Sequence, residues 1–386
     1  MGIGIGVGLA ALSAVFAGLF GLQYTTMKRY SVSNATFLSM LFATVIAPPI
    51  FVTLMLPQWP EAVGLAGWKP NLIMMACGFA WGCGAITYAY GFNILGMALA
   101  AALIKGISIA VGSGKTLFDK VDLLSSTSLA ITIAGLGMLL IGTALGGRAG
   151  VLRESELNQG SSDNDADGDQ RTTSMFFWGF ISCLVSGVFS AGVALGWSEG
   201  EPLDKAMAIV SGQSLEDLAW KAAFVRWLPI YFGGFLAAAI FMGTQMMTSG
   251  DWRNYVAQGS RRDFFVAATM GVVHLGAHLS FGLSTYYLGD ALGNSVGFAL
   301  HIALALLVAA GIGFFNGEWT GVSPSAKNWL HGSILILVIA VAVLSYGTYV
   351  QFEHEADQPQ PSDEVSVVSD QSPHLAQREP HTRFST

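Results

Sequence analysis

The sequence predicts an all-α membrane protein, with about ten transmembrane helices arranged as two inverted five-helix repeats. Three observations predict it. Only 11% of the residues are charged, against about 25% in soluble domains. Apolar runs near the length of about 20 residues that a helix needs to cross a bilayer recur along the whole chain. A polar, acidic stretch at 147–173 divides these runs five and five, and an odd number of crossings per half sets the halves in opposite orientation.

The first run, 2–24, is apolar from its start. It lacks a basic leader and a small-residue cleavage pattern, so it reads as a span rather than a cleaved signal. The second, 34–56, carries Pro48-Pro49 and leads into a loop at 57–69. The third and fourth, 70–91 and 95–114, are joined by a very short turn near Asn93–Gly96. Asp119, Lys120 and Asp122 mark a polar break before the fifth, 126–146, which ends a first half at residues 1–146. The connector 147–173 contains SSDNDADGDQ, too acidic and too poor in apolar side chains to bury a core, and is expected to be disordered. The second half, 174–350, holds the sixth span at 175–197 and a polar loop at 198–219, with a short interfacial helix expected at SLEDLAW. The seventh span (221–247) is followed by a basic loop with Arg253, Arg261 and Arg262, then by spans at 264–288, 292–315 and 329–350. Residues 351–386, rich in Pro, Ser, Gln, Asp and Glu, read as a disordered acidic tail.

Two echoes support a duplication. Ser13-Ala14-Val15-Phe16 in the first span matches Ser186-Gly187-Val188-Phe189 in the sixth. Tyr90, Leu95-Gly96 and Ala102-Leu103 match Tyr287, Leu292-Gly293 and Ala299-Leu300 at a constant offset, around the same turn. Chance is the alternative for motifs this short. Inverted repeats are a transporter signature, with the substrate site at mid-membrane between the halves.

Several function classes fall away. The net charge of −7 comes from acids at 154–169, 199–217 and 353–379, in loops and tail, and no basic face suited to nucleic acid is visible. Cys77, Cys83 and Cys183 lie in apolar spans, without disulfide or metal spacing. Gly112-Ser113-Gly114-Lys115-Thr116 lacks the first glycine of a phosphate loop, since Ile109 stands there, and it follows a membrane helix rather than a strand. Asn34-Ala35-Thr36 fits a glycosylation acceptor but sits at a helix entrance. No cofactor is implied.

The chain is organised around 74–116, two spans of mostly small residues that let helices approach closely, with Trp81, Tyr88, Tyr90 and Lys105 as exceptions. Lys105 lies about ten residues from either end of its span, too deep to snorkel, and is expected to line a polar pathway and bind substrate hydroxyls or a carboxylate. His274 and His278 share a helix face; a metal would need further ligands, and core hydrogen bonding is the plainer reading. His301, within GFALHIALALL, suits a proton-linked step because an imidazole titrates near neutrality; His278 is a second candidate for proton coupling. Trp81, Tyr286 and Tyr287 can stack on the apolar face of a sugar, though packing or interfacial anchoring is the alternative. Gln23, Asn93, Ser108, Ser113 and Asn294 offer hydrogen-bond donors and acceptors. The expected substrate-binding set is Trp81, Asn93, Lys105, Ser108, Tyr286 and Asn294.

The run Trp81-Gly82 through Tyr88 and Leu95-Gly96-Met97, then Gly106-Ile107-Ser108 and Val111-Gly112-Ser113, resembles the L-rhamnose–proton symporter family of the drug/metabolite transporter superfamily. Lys28-Arg29, Phe189-Ser190-Ala191-Gly192, Leu300-His301 and Gly317-Glu318-Trp319 extend the resemblance over nearly all of residues 8–348. It implies ten helices in two inverted halves and uptake of a sugar (L-rhamnose or a related deoxysugar) with a proton, through the inner membrane. It also implies cytoplasmic termini, whereas the Lys and Arg count in the loops leans towards termini outside. Trp81 and His301 are the matched residues expected to carry function. Lys105, where the resemblance leads one to expect an apolar or small residue, the short turn Gly289-Asp290-Ala291 and the acidic connector depart from the family pattern. The alternatives are a carrier of the same fold for another small metabolite and a non-enzymatic membrane receptor.

Overall fold

The structure, a computed structural model, describes residues 2–20, 26–95, 97–158 and 169–357. Ten of the described helices are long and apolar enough to cross a membrane. They are α1 (Gly2–Phe20), α2 (Val32–Met55), α3 (Trp68–Leu95), α4 (Met97–Asp119) and α5 (Ser126–Asn158). The second set is α6 (Asp169–Ser190), α7 (Leu215–Ser249), α8 (Arg261–Tyr287), α9 (Gly293–Phe315) and α10 (Pro324–Asp357). Helices satisfy their own backbone groups, which lipid cannot do.

Tertiary contacts carry several elements past the limits expected from composition. Helix α5 continues to Asn158, into the stretch expected to be a disordered connector. Its polar extension has partners: Arg153 Nε donates to the Glu318 carbonyl at 2.9 Å, and Glu156 accepts from the Ser323 N–H at 2.8 Å. The rest of the connector, 159–168, and the tail from 358 lie outside the described residues. SLEDLAW does not form a separate interfacial helix. Ser214 caps the start of α7 by accepting from the Asp217 N–H at 3.0 Å. The separate helix in that loop is Glu201–Ser211, which buries Leu203, Ala206 and Met207 and packs on a second short helix, Trp59–Leu65, within the expected loop 57–69. Helix α2 is interrupted by a π-helical stretch, Leu41–Ile46, ahead of Pro48-Pro49.

Small residues set the closest approaches. A Cβ on Gly78 of α3 would collide with the carbonyl of Ile230 in α7, and one on Gly233 of α7 with the carbonyl of Met75 in α3. The two backbones therefore touch, as close helix pairs in membranes do. The remaining pairings follow a pattern. α1 packs on α8 and α9, as α6 packs on α3 and α4. α3 packs on α7, as α8 packs on α2. α5 packs along α10.

One face of the bundle is fastened by bonds that join residues before the connector to residues after it. Asp263, 1% exposed, accepts from the backbone N–H groups of Lys28, Arg29 and Tyr30 at 2.9, 2.5 and 3.1 Å. Asn34, fully buried, donates to the Asp251 carbonyl at 3.0 Å and accepts from Asn254 at 3.0 Å, so it is no glycosylation acceptor. The Tyr255 hydroxyl donates to the Asn34 carbonyl at 2.9 Å, and burial pushes its pKa up to about 12, so it keeps its proton at any ordinary working pH. Arg153 adds an ion pair to Glu318 and lies 5.5 Å over the Trp319 ring.

Replacing Asp263 by Ala leaves three backbone donors without their acceptor. The expected loss is about 2–4 kcal/mol, seen as a lower melting temperature in detergent, and Asp263→Asn should recover part of it. An Asp263→Ala protein that melts with the parent would show that this joint contributes nothing to stability.

Candidate functional site

The centre of the bundle holds a connected set of rings. Trp81 of α3 lies over Gly234 of α7, where an added Cβ would come within 2.8 Å of the indole. It stacks on His274 at 5.6 Å between centroids and 13° between planes, and meets His278 edge-on at 5.2 Å. Trp227 and Tyr231, four residues apart on α7, stack at 5.0 Å and meet His278 edge-to-face at 5.1 and 5.7 Å. Trp197 stands 4.9 Å from Trp227. Phe281 continues the series to Phe298 at 6.0 Å and His301 at 5.8 Å.

Hydrogen bonding fixes the imidazole tautomers by elimination. The Ser13 hydroxyl of α1 donates its one proton to the Ala277 carbonyl at 2.5 Å. The same oxygen lies 2.7 Å from His301 Nδ1, so Nδ1 must carry a hydrogen and donate to it. His278 Nδ1 lies 3.1 Å from the His274 carbonyl, which can only accept, so it too is protonated. Both rings therefore keep Nε2 as the basic atom on which a proton can arrive or leave.

Lys105 of α4 is partly buried. Lys115–Asp119, Arg153–Glu318, Lys205–Glu201 and Arg226–Asp204 form ion pairs that do not include Lys105. Ser108 is buried nearly one turn further along α4.

A cavity of about 480 Å³ opens on the face opposite the fastened one. Its walls come from the ends of α4 and α8, the beginnings of α7 and α9, and the helix Glu201–Ser211. Gly2 at the start of α1 approaches Tyr287 at this face, and Phe352 near the end of α10 approaches Gly289. Trp197 lines the cavity and also joins the central rings. Arg226 lies 5.3 Å over the Trp197 ring, donates to its carbonyl at 3.0 Å and pairs with Asp204.

The expected site residues thus occupy two places. Trp81, His278 and His301 gather at the centre. Tyr286, 44% exposed, and Asn294, whose amide donates to the Ala194 carbonyl at 2.9 Å, line the cavity instead. Gln23 and the side chains of Tyr88, Tyr90 and Asn93 lie outside the described residues. Sequence reasoning missed Trp227, Tyr231 and Trp197, and saw Ser13 only as part of a repeat. The available signal was two polar-tipped aromatics one turn apart around Pro229, in the middle of an apolar span.

A family model described as L-rhamnose-proton symport protein matches residues 1–248. The chain belongs to that family. It is similar to an L-rhamnose-proton symporter of Citrobacter koseri, 22% identical over 358 residues, which covers 89% of this chain and 98% of the relative. A Yersinia pestis L-rhamnose-proton symporter is 22% identical over 349 residues, covering 87% and 95%. One from Escherichia coli is 21% identical over 359 residues, covering 89% and 98%. With ten membrane-crossing helices, the family member described here is a multi-pass inner-membrane protein and a transporter rather than an enzyme.

Trp227 is fully buried, and its Nε1 finds no hydrogen-bond partner among the described residues. Trp227→Phe removes an unpaired donor and should leave thermal stability within about 1 kcal/mol of the parent. Trp227→Ala empties a packed position and should cost about 3–5 kcal/mol. Melting of both variants in detergent checks the contrast.

Proposed function

We propose that this chain takes up L-rhamnose or a related deoxysugar together with a proton, by alternating access between two inverted five-helix halves, 1–146 and 174–350. The observation that carries the reading is the joint at Ser13. There a protonatable imidazole of α9 is held against α1 and α8, at the meeting line of the halves, with Phe281 between it and the other central rings. The exchanged pairings, α1 with α8 and α9 against α6 with α3 and α4, support an internal two-fold relation. So does a recurring contact: Ser13 bonds the Ala277 carbonyl of α8, and its sequence counterpart Ser186 bonds the Gly84 carbonyl of α3 at 2.8 Å. One face is fastened across the halves while the other holds an open cavity, the asymmetry that a rocking carrier has in either end state.

In this reading Tyr286 and Asn294 meet the sugar in the cavity, and Trp197 lies between them and the centre. Trp81 stacks on the apolar face of the sugar, while Lys105, Ser108 and Asn93 bond its hydroxyls. His301 takes the proton at Nε2, and His278 exchanges with it. Sugar and proton shift the carrier only as far as they favour the state with the fastened face released.

The test is uptake of labelled L-rhamnose by proteoliposomes with and without an imposed proton gradient. Gradient-driven accumulation is expected, and His301→Ala should reduce it by about a hundredfold. Unchanged proton-coupled uptake in His301→Ala would sink the coupling assignment. Ser13→Ala releases His301 Nδ1 from its acceptor and should alter the pH dependence of uptake while the protein folds, with Ser13→Thr restoring the parental profile. A parental profile in Ser13→Ala would show that Ser13 does not position the imidazole.

A further inference from the structure

The two faces of the bundle are closed by different kinds of contact. The fastened face joins residues before the connector to residues after it: Asp263 to Lys28, Arg29 and Tyr30, and Asn34 to Asp251 and Asn254. Rocking of one half against the other breaks such bonds. Towards the cavity stands Trp197, and Trp227, Phe281, Gly282 and Arg226, which hold its ring, all lie after the connector with it. Rocking does not separate these.

Trp197 lies near the end of the short helix Gly192–Ser198. Its indole reaches α8 at Gly282, where an added Cβ would come within 2.6 Å of the ring. It packs 4.9 Å from Trp227 and 6.1 Å from Phe281. Trp197 lines the cavity and is 4% exposed, while Trp227 and Tyr231 are 0% and Phe281 1% exposed. Solvent in the cavity therefore meets the indole and stops there.

Arg226 fixes that indole from the cavity. Its guanidinium lies 5.3 Å over the ring and donates to the Trp197 carbonyl at 3.0 Å. Asp204, on the helix Glu201–Ser211, accepts from Arg226 Nε at 3.0 and 3.1 Å and from Nη2. The two side chains are only 20% and 16% exposed, so water and salt screen their pairing less than at an open surface. Gly200 leaves room for the Arg226 stem, since a Cβ there would collide with Arg226 Cγ and Cδ. A planar fork engaged on two edges has a fixed orientation, which a lysine ammonium cannot reproduce.

We infer that Arg226 is a positioning residue for transport. Gripped by Asp204, it keeps the Trp197 indole closed between the cavity and the central rings, as a gate that works separately from the joint on the opposite face. The inference rests on the alternating-access reading above and adds a second barrier to it. A sugar passing from the cavity to the Trp81 platform displaces the indole, and the indole turns when Arg226 lets go.

The test uses the full-length protein in detergent, with Cys77, Cys83 and Cys183 replaced by Ala and one cysteine introduced at a time. Tyr231→Cys reports on the centre and Tyr286→Cys on the cavity. Ala267→Cys reports on the fastened face, where Ala267 is fully buried beside Tyr30 and Leu38. The readout is the rate of reaction with a quaternary-ammonium methanethiosulfonate, which stays out of the micelle. Asp204→Asn, Arg226→Lys and Gly200→Ala each disturb the fork by a different route. Each should speed labelling of Tyr231→Cys about tenfold or more, while the cysteines at 286 and 267 react at the parental rate. An unchanged rate at Tyr231→Cys in all three overturns the inference. An equal rise at Ala267→Cys also overturns it, because the fork then holds the whole bundle rather than a local gate. An equal rise at Tyr286→Cys overturns it too, because entry to the cavity has then changed instead. Where Tyr231→Cys does not fold, Phe281→Cys takes its place. Labelling needs no sugar, so it judges the gate, whereas the uptake assay above judges the substrate and the proton.

Discussion

A bilayer gives no hydrogen-bond partner to a backbone amide and no solvation to a charge. The organisation of this protein follows from that constraint. Its backbone crosses the membrane as helices. Its helices meet through glycines such as Gly78 and Gly233, because dispersion forces reward only close approach where lipid is as apolar as the side chains. Three imidazoles that enter the membrane are buried among aromatic rings, His274 and His278 on α8 and His301 on α9.

The members of that set are held differently. His301 is fixed on one nitrogen by Ser13 and His278 by a carbonyl of its own helix, leaving Nε2 of each for proton exchange. In the proposed function the aromatic rings around them form the face on which the sugar stacks. On one side the path continues to Trp197 and a charged cavity rimmed by Arg226 and Asp204. On the other side the chain is joined by Asp263, Asn34 and Tyr255, whose bonds are individually modest and, in the proposed cycle, are all released for that face to open.

Much of this was legible in the sequence. Span number and the pairing of His274 with His278 followed from length and helical period. The sealing bonds were not legible, because Asp263 and Asn34 resemble ordinary helix-end residues until the segments they fasten arrive from more than two hundred positions away. The extension of α5 to Asn158 escaped for the same reason: its polar turns are held by Glu318 and Ser323, which no local composition reveals.

By itself the sequence determined which segments enter the membrane, since hydropathy and length act locally, and which residue types had to face inward, since lipid penalises charge wherever it lies. Tertiary structure alone decided their grouping. It sent Tyr286 and Asn294 to the cavity, brought Trp227 and Tyr231 against His278, and placed Ser13 between Ala277 and His301. The physical reason is that such neighbours are chosen by how the helices rotate and cross, and rotation is set by the sum of many small-residue contacts rather than by any one stretch of chain.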